Sequence, residues 1–272
     1  MEKHGRIAYA FLFITLFLIW QVGGGLLMLS FDAFFPERGL AEAFISVNIP
    51  HLVLFAASLF AVKVLFHDEI RDRKHSFSAY AAVALLTLFI TALFQLFHLK
   101  EMAGSGHTVR EWFMMLFPVL VITPLQSAAE ELLFRLVPYR IIVKKRSVKS
   151  TLAAALFSGF LFLLLHMAAN SEFRATSSPW LYAYYFLFGF LAMVLTAYTQ
   201  DIICPVIIHS VSNVFVLTVA GYSASPLQGA PLFMTEGVPS PFLSTLTLTA
   251  VFTAVFIYFI GAENDKEKEK TE

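Results

Sequence analysis

The sequence predicts an all-α fold, a polytopic membrane helix bundle of about eight transmembrane helices. Three observations carry that expectation. Of the 272 residues, 58% are hydrophobic and only 14% are charged, against about 25% charged in ordinary soluble domains. The mean hydropathy is +0.73 and thirty residues are Phe, more apolar surface than a soluble core of this size can hide. The apolar residues also fall in runs of membrane-crossing length. Eight spans of roughly 20 residues would use about 160 residues, a little under 60% of the chain.

Hydropathy and polar breaks place the spans near residues 7–29, 44–66, 77–98, 112–137, 150–169, 180–200, 202–220 and 241–261. The first has no small-residue cleavage site after it and is expected to be a retained span, not a removed signal peptide. The second contains Asn48, Pro50 and His51 and is the least clean of the early ones. The sixth and seventh are separated only by the Gln200–Asp201 region, which implies a tight turn between antiparallel helices. No internal repeat and no soluble domain is visible. Residues 1–262 are therefore expected to form one transmembrane domain with its core at 112–220, followed by a solvated charged tail, 263–272.

Charge sets the orientation. With the N-terminus in the cytoplasm, 14 Lys and Arg fall on that side and four (Arg38, Lys100, Arg110 and Arg174) on the other. This asymmetry predicts both termini inside and an even number of spans. The connection 221–240 has no Lys or Arg, as expected of an outer loop. Nineteen basic and nineteen acidic residues cancel, which argues against a nucleic-acid partner. A lone cysteine, Cys204, excludes an internal disulfide and any cysteine-based metal site.

Charged side chains inside a span cost at least ~2.5–3.5 kcal/mol each at its centre, so those present need a reason. The fourth span holds Glu130, Glu131 and Arg135. Glu131 and Arg135 are four residues apart, on one helix face, and can pair. Glu130 lies about 100° around the helix from Glu131 and is left for other work. The fifth span holds His166, one turn after Phe162, and the seventh holds His209 and Asn213, four residues apart. Each alone reads as easily as packing or interhelical glue. Asn170, His98 and His51 sit close to span ends, where the interface accounts for them.

The combination says more than its members. If three spans converge, the site has a carboxylate base, a group to hold water and two donors for an oxyanion, the parts needed to hydrolyse an amide. Depth is the awkward point. Glu130 is about ten residues, or ~15 Å, from Arg140, whereas His166 is about 17 residues, or ~25 Å, past Lys149. Either the fifth helix begins before the membrane or it is strongly tilted.

At these residues the chain resembles the type II CAAX prenyl endopeptidases (Ras-converting enzyme type), within the CPBP or ABI group of intramembrane proteases. The motifs are EExxxR, read here as Glu130-Glu131-Leu132-Leu133-Phe134-Arg135, then FxxxH, Phe162 to His166, then HxxxN, His209 to Asn213. The resemblance implies a glutamate-type protease with no essential metal or cofactor. It implies Glu130 as general base, His166 as a holder of the water and His209 with Asn213 as the oxyanion hole. Glu131 and Arg135 would support them. Many members have glycine after the motif arginine, where this chain has Leu136. The implied substrate is a membrane-anchored protein or peptide, prenylated or held otherwise in the lipid bilayer. Two further expectations compete. One is a zinc protease with His166, His209 and a glutamate as ligands, although no HExxH pattern occurs. The other is a transporter or scaffold using the buried polar cluster to bind an ion or partner.

Overall fold

The computed structural model describes residues 5–35, 40–65, 75–103, 108–143, 148–169 and 179–219, with isolated positions at 247, 250, 251 and 254. Among them it is a helical bundle with no strand. We number seven continuous helices. Helix α1 is Arg6–Phe34. Helix α2 is Leu40–Phe60 continued by Ala61–Leu65, and α3 is Phe77–Ala103. Helix α4 is Val109–Glu131 continued by Leu132–Leu136 and Val137–Ile142. Helices α5, α6 and α7 are Val148–Ala169, Pro179–Thr199 and Ile203–Val219. The expected eighth span, 241–261, lies outside the described residues except at the isolated positions. The connection 221–240 and the tail 263–272 lie wholly outside them, as does Asn170.

Among the described residues, four segments are long and apolar enough to cross a membrane: Arg6–Phe34, Asn48–Leu65, Lys149–Met167 and Tyr182–Thr199. Phe77–Leu93 and Ile203–Val214 are shorter apolar helices. The faces are divided as a bilayer demands. On α1, Tyr9, Leu12, Leu16 and Trp20 recur at helical spacing and are buried, while Ile7, Phe11, Ile14 and Leu18 point outward. The interior holds hydroxyl and amide side chains, among them Ser46, Asn48, Ser58, Thr91, Thr123 and Ser127. Polar groups inside and large apolar groups outside is the reverse of a water-soluble domain.

Two close approaches set how the helices cross. A Cβ on Gly24 of α1 would lie 2.5 Å from the Pro50 Cα of α2. A Cβ on Gly189 of α6 would lie 3.0 Å from both the Gly159 Cα and the Ser158 carbonyl oxygen of α5. Each obstacle is backbone, so only hydrogen fits and the helix axes come together there. Three helices also contain a π-turn: Ile19–Gly24 in α1, Ala61–Leu65 in α2 and Leu132–Leu136 in α4. Such turns often mark functional positions in helices, and two of these three bear on the polar centre described below.

The turn between α6 and α7 is as tight as its sequence implies. Gln200 takes a left-handed backbone, φ 58°. The Asp201 carboxylate accepts the Ile203 N–H at 2.8 Å, the local bond that favours Asp before a helix. From α3, the Tyr80 hydroxyl donates to Asp201. From the segment before α3, His75 Nε2 bonds the Thr199 carbonyl at 3.2 Å. These bonds fix where α7 begins, and so where its polar residues fall.

Gly24→Ala is expected to lower the thermal unfolding midpoint of the purified protein in detergent. Gly23→Ala and Gly25→Ala meet nothing within 4 Å. They should leave it unchanged or raise it, because Ala exceeds Gly in helix propensity by up to ~1 kcal/mol. Equal midpoints for all three would disprove the close crossing at Pro50.

Candidate active site

The polar centre is built on α4, just where its helix opens. Glu130 and Glu131 end the regular α-helical part, and the π-turn Leu132–Leu136 follows at once. All three charged residues are buried, with Arg135 and Glu131 fully so. Arg135 Nε lies 3.0 Å from Glu131 Oε2, which is the pair expected from their spacing. The guanidinium carbon sits 4.7 Å from the centre of the Phe162 ring, over a face that attracts cations. Arg135 also donates to the Ser158 hydroxyl at 3.2 Å. That hydroxyl lies 2.9 Å from the Phe134 carbonyl, inside the π-turn, and 3.2 Å from the Gly189 carbonyl. One serine thereby joins α4, α5 and α6 behind the charge cluster. Leu136 is buried and packs with Val62, Leu132 and Ile202.

The depth problem resolves through register. Phe134 on α4 packs edge-on against Phe162 on α5, ring centres 5.5 Å apart. Nearer the α4–α5 connection, Tyr139 and Val143 cluster with Ala154 and Ala155. The two helices therefore run antiparallel, and α5 starts with more than a turn beyond the level of Val143. His166, one turn after Phe162, comes level with Glu130, one turn before Phe134. Relative to α4, therefore, α5 starts early enough to bring His166 to the level of Glu130.

Helix α7 brings His209 between the carboxylates. Its Nδ1 is 2.8 Å from Glu131 Oε1 and its Nε2 is 3.8 Å from Glu130 Oε2. Phe188 and Phe162 wall the ring at 4.7 and 6.0 Å. A carboxylate only accepts, so Nδ1 carries a hydrogen and donates to Glu131. His166 is turned differently. Its Nδ1 donates to the Phe162 carbonyl at 2.8 Å, and its ring stacks on Tyr185 at 4.1 Å. The neutral ring then leaves Nε2 as an acceptor. Asn213, one turn beyond His209, is half-buried and makes no hydrogen bond to another described residue. The structure thus brings Glu130, Glu131, Arg135 and His209 into direct contact and sets His166 alongside.

The two glutamates differ sharply. Glu131 is held by Arg135 and His209. Among the described residues the ion-pair contacts of Glu130 are with imidazoles, and one of them was missed from sequence. His51 of α2 lies with Nε2 3.3 Å from Glu130 Oε1, so the expectation that His51 is an interface residue is corrected. Helix α2 begins at Leu40, which sets His51 about three turns inside instead of at an end. Pro50, just before it, sits within the helix. The available signal was the neighbouring Asn48 and His51 in an otherwise apolar run. Among the described residues no three His, Cys, Asp or Glu side chains are arranged to hold a metal ion.

Comparison with known proteins bears on this same region. Residues 109–215 match the family described as Type II CAAX prenyl endopeptidase Rce1-like. That segment is thus similar to the Rce1-like family. It spans α4 through most of α7 and includes Glu130, Glu131, Arg135, His166, His209 and Asn213, but not His51. The family, with the apolar helices, supports a membrane protein and a protease in kind. Along nearly its full length the chain is similar to "Uncharacterized protein YyaK" of Bacillus subtilis (strain 168). The two are 25% identical over 280 residues, covering 97% of this chain and 89% of that protein. No solved structure gives a significant match.

Removing Arg135 strands Glu131 in an apolar bundle. Breaking a buried pair on one side costs about 3–5 kcal/mol. Arg135→Ala should therefore accumulate poorly or unfold at markedly lower temperature. Arg135→Lys should recover only part of the loss, since one ammonium cannot copy the fork that reaches both Glu131 and Ser158. Size-exclusion profiles against temperature test this, and a wild-type profile for Arg135→Ala would refute it.

Proposed function

We propose that this protein is an intramembrane endopeptidase in which Glu130 activates water against a peptide bond. The observation that carries the proposal is the division of labour between adjacent carboxylates. Glu131 is bound by Arg135 at 3.0 Å and His209 at 2.8 Å, whereas Glu130 is buried and, among the described residues, makes its ion-pair contacts with the imidazoles of His51 and His209. Such a carboxylate is available to take a proton. The match of residues 109–215 to an endopeptidase family supports the same reading.

In the proposed reaction, water attacks the carbonyl carbon of the scissile amide as its proton passes to Glu130. His166, with Nε2 as acceptor, holds the water. The carbonyl oxygen becomes an oxyanion, stabilised by N–H donors from His209 and Asn213. Collapse breaks the C–N bond, and the proton on Glu130 goes to the leaving amine. Both fragments are released with one water consumed, and no metal is required. We take the substrate to be a membrane-anchored protein cut near its C-terminus, of the CAAX type or anchored by other means. The protein is multi-pass, with eight spans and both termini cytoplasmic, as the 14-to-4 partition of basic residues supports. The cleft between the helices would then open to the cytoplasm.

A prenylated C-terminal reporter peptide and its unprenylated twin, offered to purified protein in detergent, test the proposal. Cleavage should survive a strong chelator and vanish in Glu130→Gln. A folded Glu130→Gln protein that still cuts would eliminate Glu130 as the base. Asn213→Ala should lower turnover by about 10²–10³, the scale of one oxyanion donor. A purely structural Asn213 would instead lower the unfolding temperature and leave the turnover of the folded fraction unchanged.

A further inference from the structure

Helix α2 lies outside the family-matched segment, yet it supplies one of the closest polar contacts to Glu130. His51 Nε2 is 3.3 Å from Glu130 Oε1. An ionised carboxylate only accepts, so Nε2 carries the hydrogen. That bond occupies Oε1 and leaves Oε2, on the His209 side, as the oxygen able to take a proton.

The His51 ring is held from two directions. Trp20, from the π-turn of α1, lies 5.2 Å away with its plane tilted by 56°. Trp20 is itself buried and packs edge-on against Phe134 at 5.9 Å, which ties it to α4. Directly before His51, Pro50 meets Gly24 of the same π-turn with no room for a side chain. The backbone that carries His51 and the indole beside its ring therefore come from one short stretch of α1. An imidazole that only filled space would not need its nitrogen aimed at the carboxylate.

We propose that His51 is a positioning residue for the reaction. It fixes Glu130 through Oε1 so that Oε2 is presented to the attacking water. This rests on the reading of Glu130 as the base. It predicts that the Nε2 donor of His51 matters, and not only the bulk of its ring.

The test uses the full-length protein, the reporter peptide and four variants. His51→Leu keeps bulk and removes the donor. His51→Gln places an amide N–H near the position of Nε2, whereas His51→Asn is one methylene shorter and falls short. Glu130→Gln is the control. We expect His51→Leu to lower kcat about 10–100-fold, the scale of a displaced catalytic group, with KM within about twofold. His51→Gln should recover kcat to within about threefold of wild type. If His51→Leu fails to fold, His51→Gln against His51→Asn decides, with the longer amide expected to be clearly the faster. Near-wild-type kcat in His51→Leu, or equal losses in the Leu and Gln variants, would overturn the role of His51 while Glu130 still stood. Cleavage that does not depend on Glu130, or none by the wild type, would overturn the reading of the base and this proposal with it.

Discussion

The Glu131–Arg135 ion pair is the constraint around which the rest of the site is arranged. Two charges in an apolar bundle are tolerable only when paired and when their remaining hydrogen-bonding groups find partners. Here the partners come from three other helices: His209 on α7, Ser158 on α5 and, through Ser158, the Gly189 carbonyl on α6. Satisfying one ion pair therefore fixes four helices relative to one another. The Phe162 ring beneath the guanidinium adds a cation–π contact and sets the level of α5. That level decides where His166 stands.

Local backbone departures make this possible. A regular α-helix commits each carbonyl to the N–H four residues on, but the π-turn after Glu131 loosens that pattern and brings the Phe134 carbonyl within 2.9 Å of Ser158. The second π-turn, in α1, places Trp20 against His51 and Gly24 against Pro50. Without a hydrophobic drive between helices in lipid, close packing and shared polar bonds must supply the association. Glycines at crossings and a buried serine bonded to three helices are what such packing needs.

How much of this was legible in the sequence follows from the physics of each feature. Apolar run length is a one-dimensional signal, and the membrane bundle follows from it. The Glu131–Arg135 pair is an i,i+4 relation within one helix, and it too appears where spacing puts it. The tight α6–α7 turn was legible from the absence of residues to build anything longer. Relations between helices were not. That His166 is level with Glu130 depends on where α5 starts relative to α4, which no residue spacing encodes. His51 was passed over because it falls near the end of an apolar run, where the interface accounts for a polar residue, yet its partner Glu130 stands on another helix.

Adjacent glutamates on a helix point about 100° apart, so neighbours cannot satisfy both in the same way. The arginine one turn on reaches only the second. The first is then met from other helices, by the imidazoles of His51 on α2 and His209 on α7. His209 stands between the two carboxylates, its Nδ1 on Glu131 and its Nε2 facing Glu130 Oε2 across 3.8 Å. Since Nδ1 already carries a hydrogen, a neutral ring would set a lone pair against an ionised carboxylate. A proton on either His209 Nε2 or Glu130 removes that conflict. The site thus sets one carboxylate in an ion pair and the other beside imidazoles, and it is the second that the proposed hydrolysis by activated water would use.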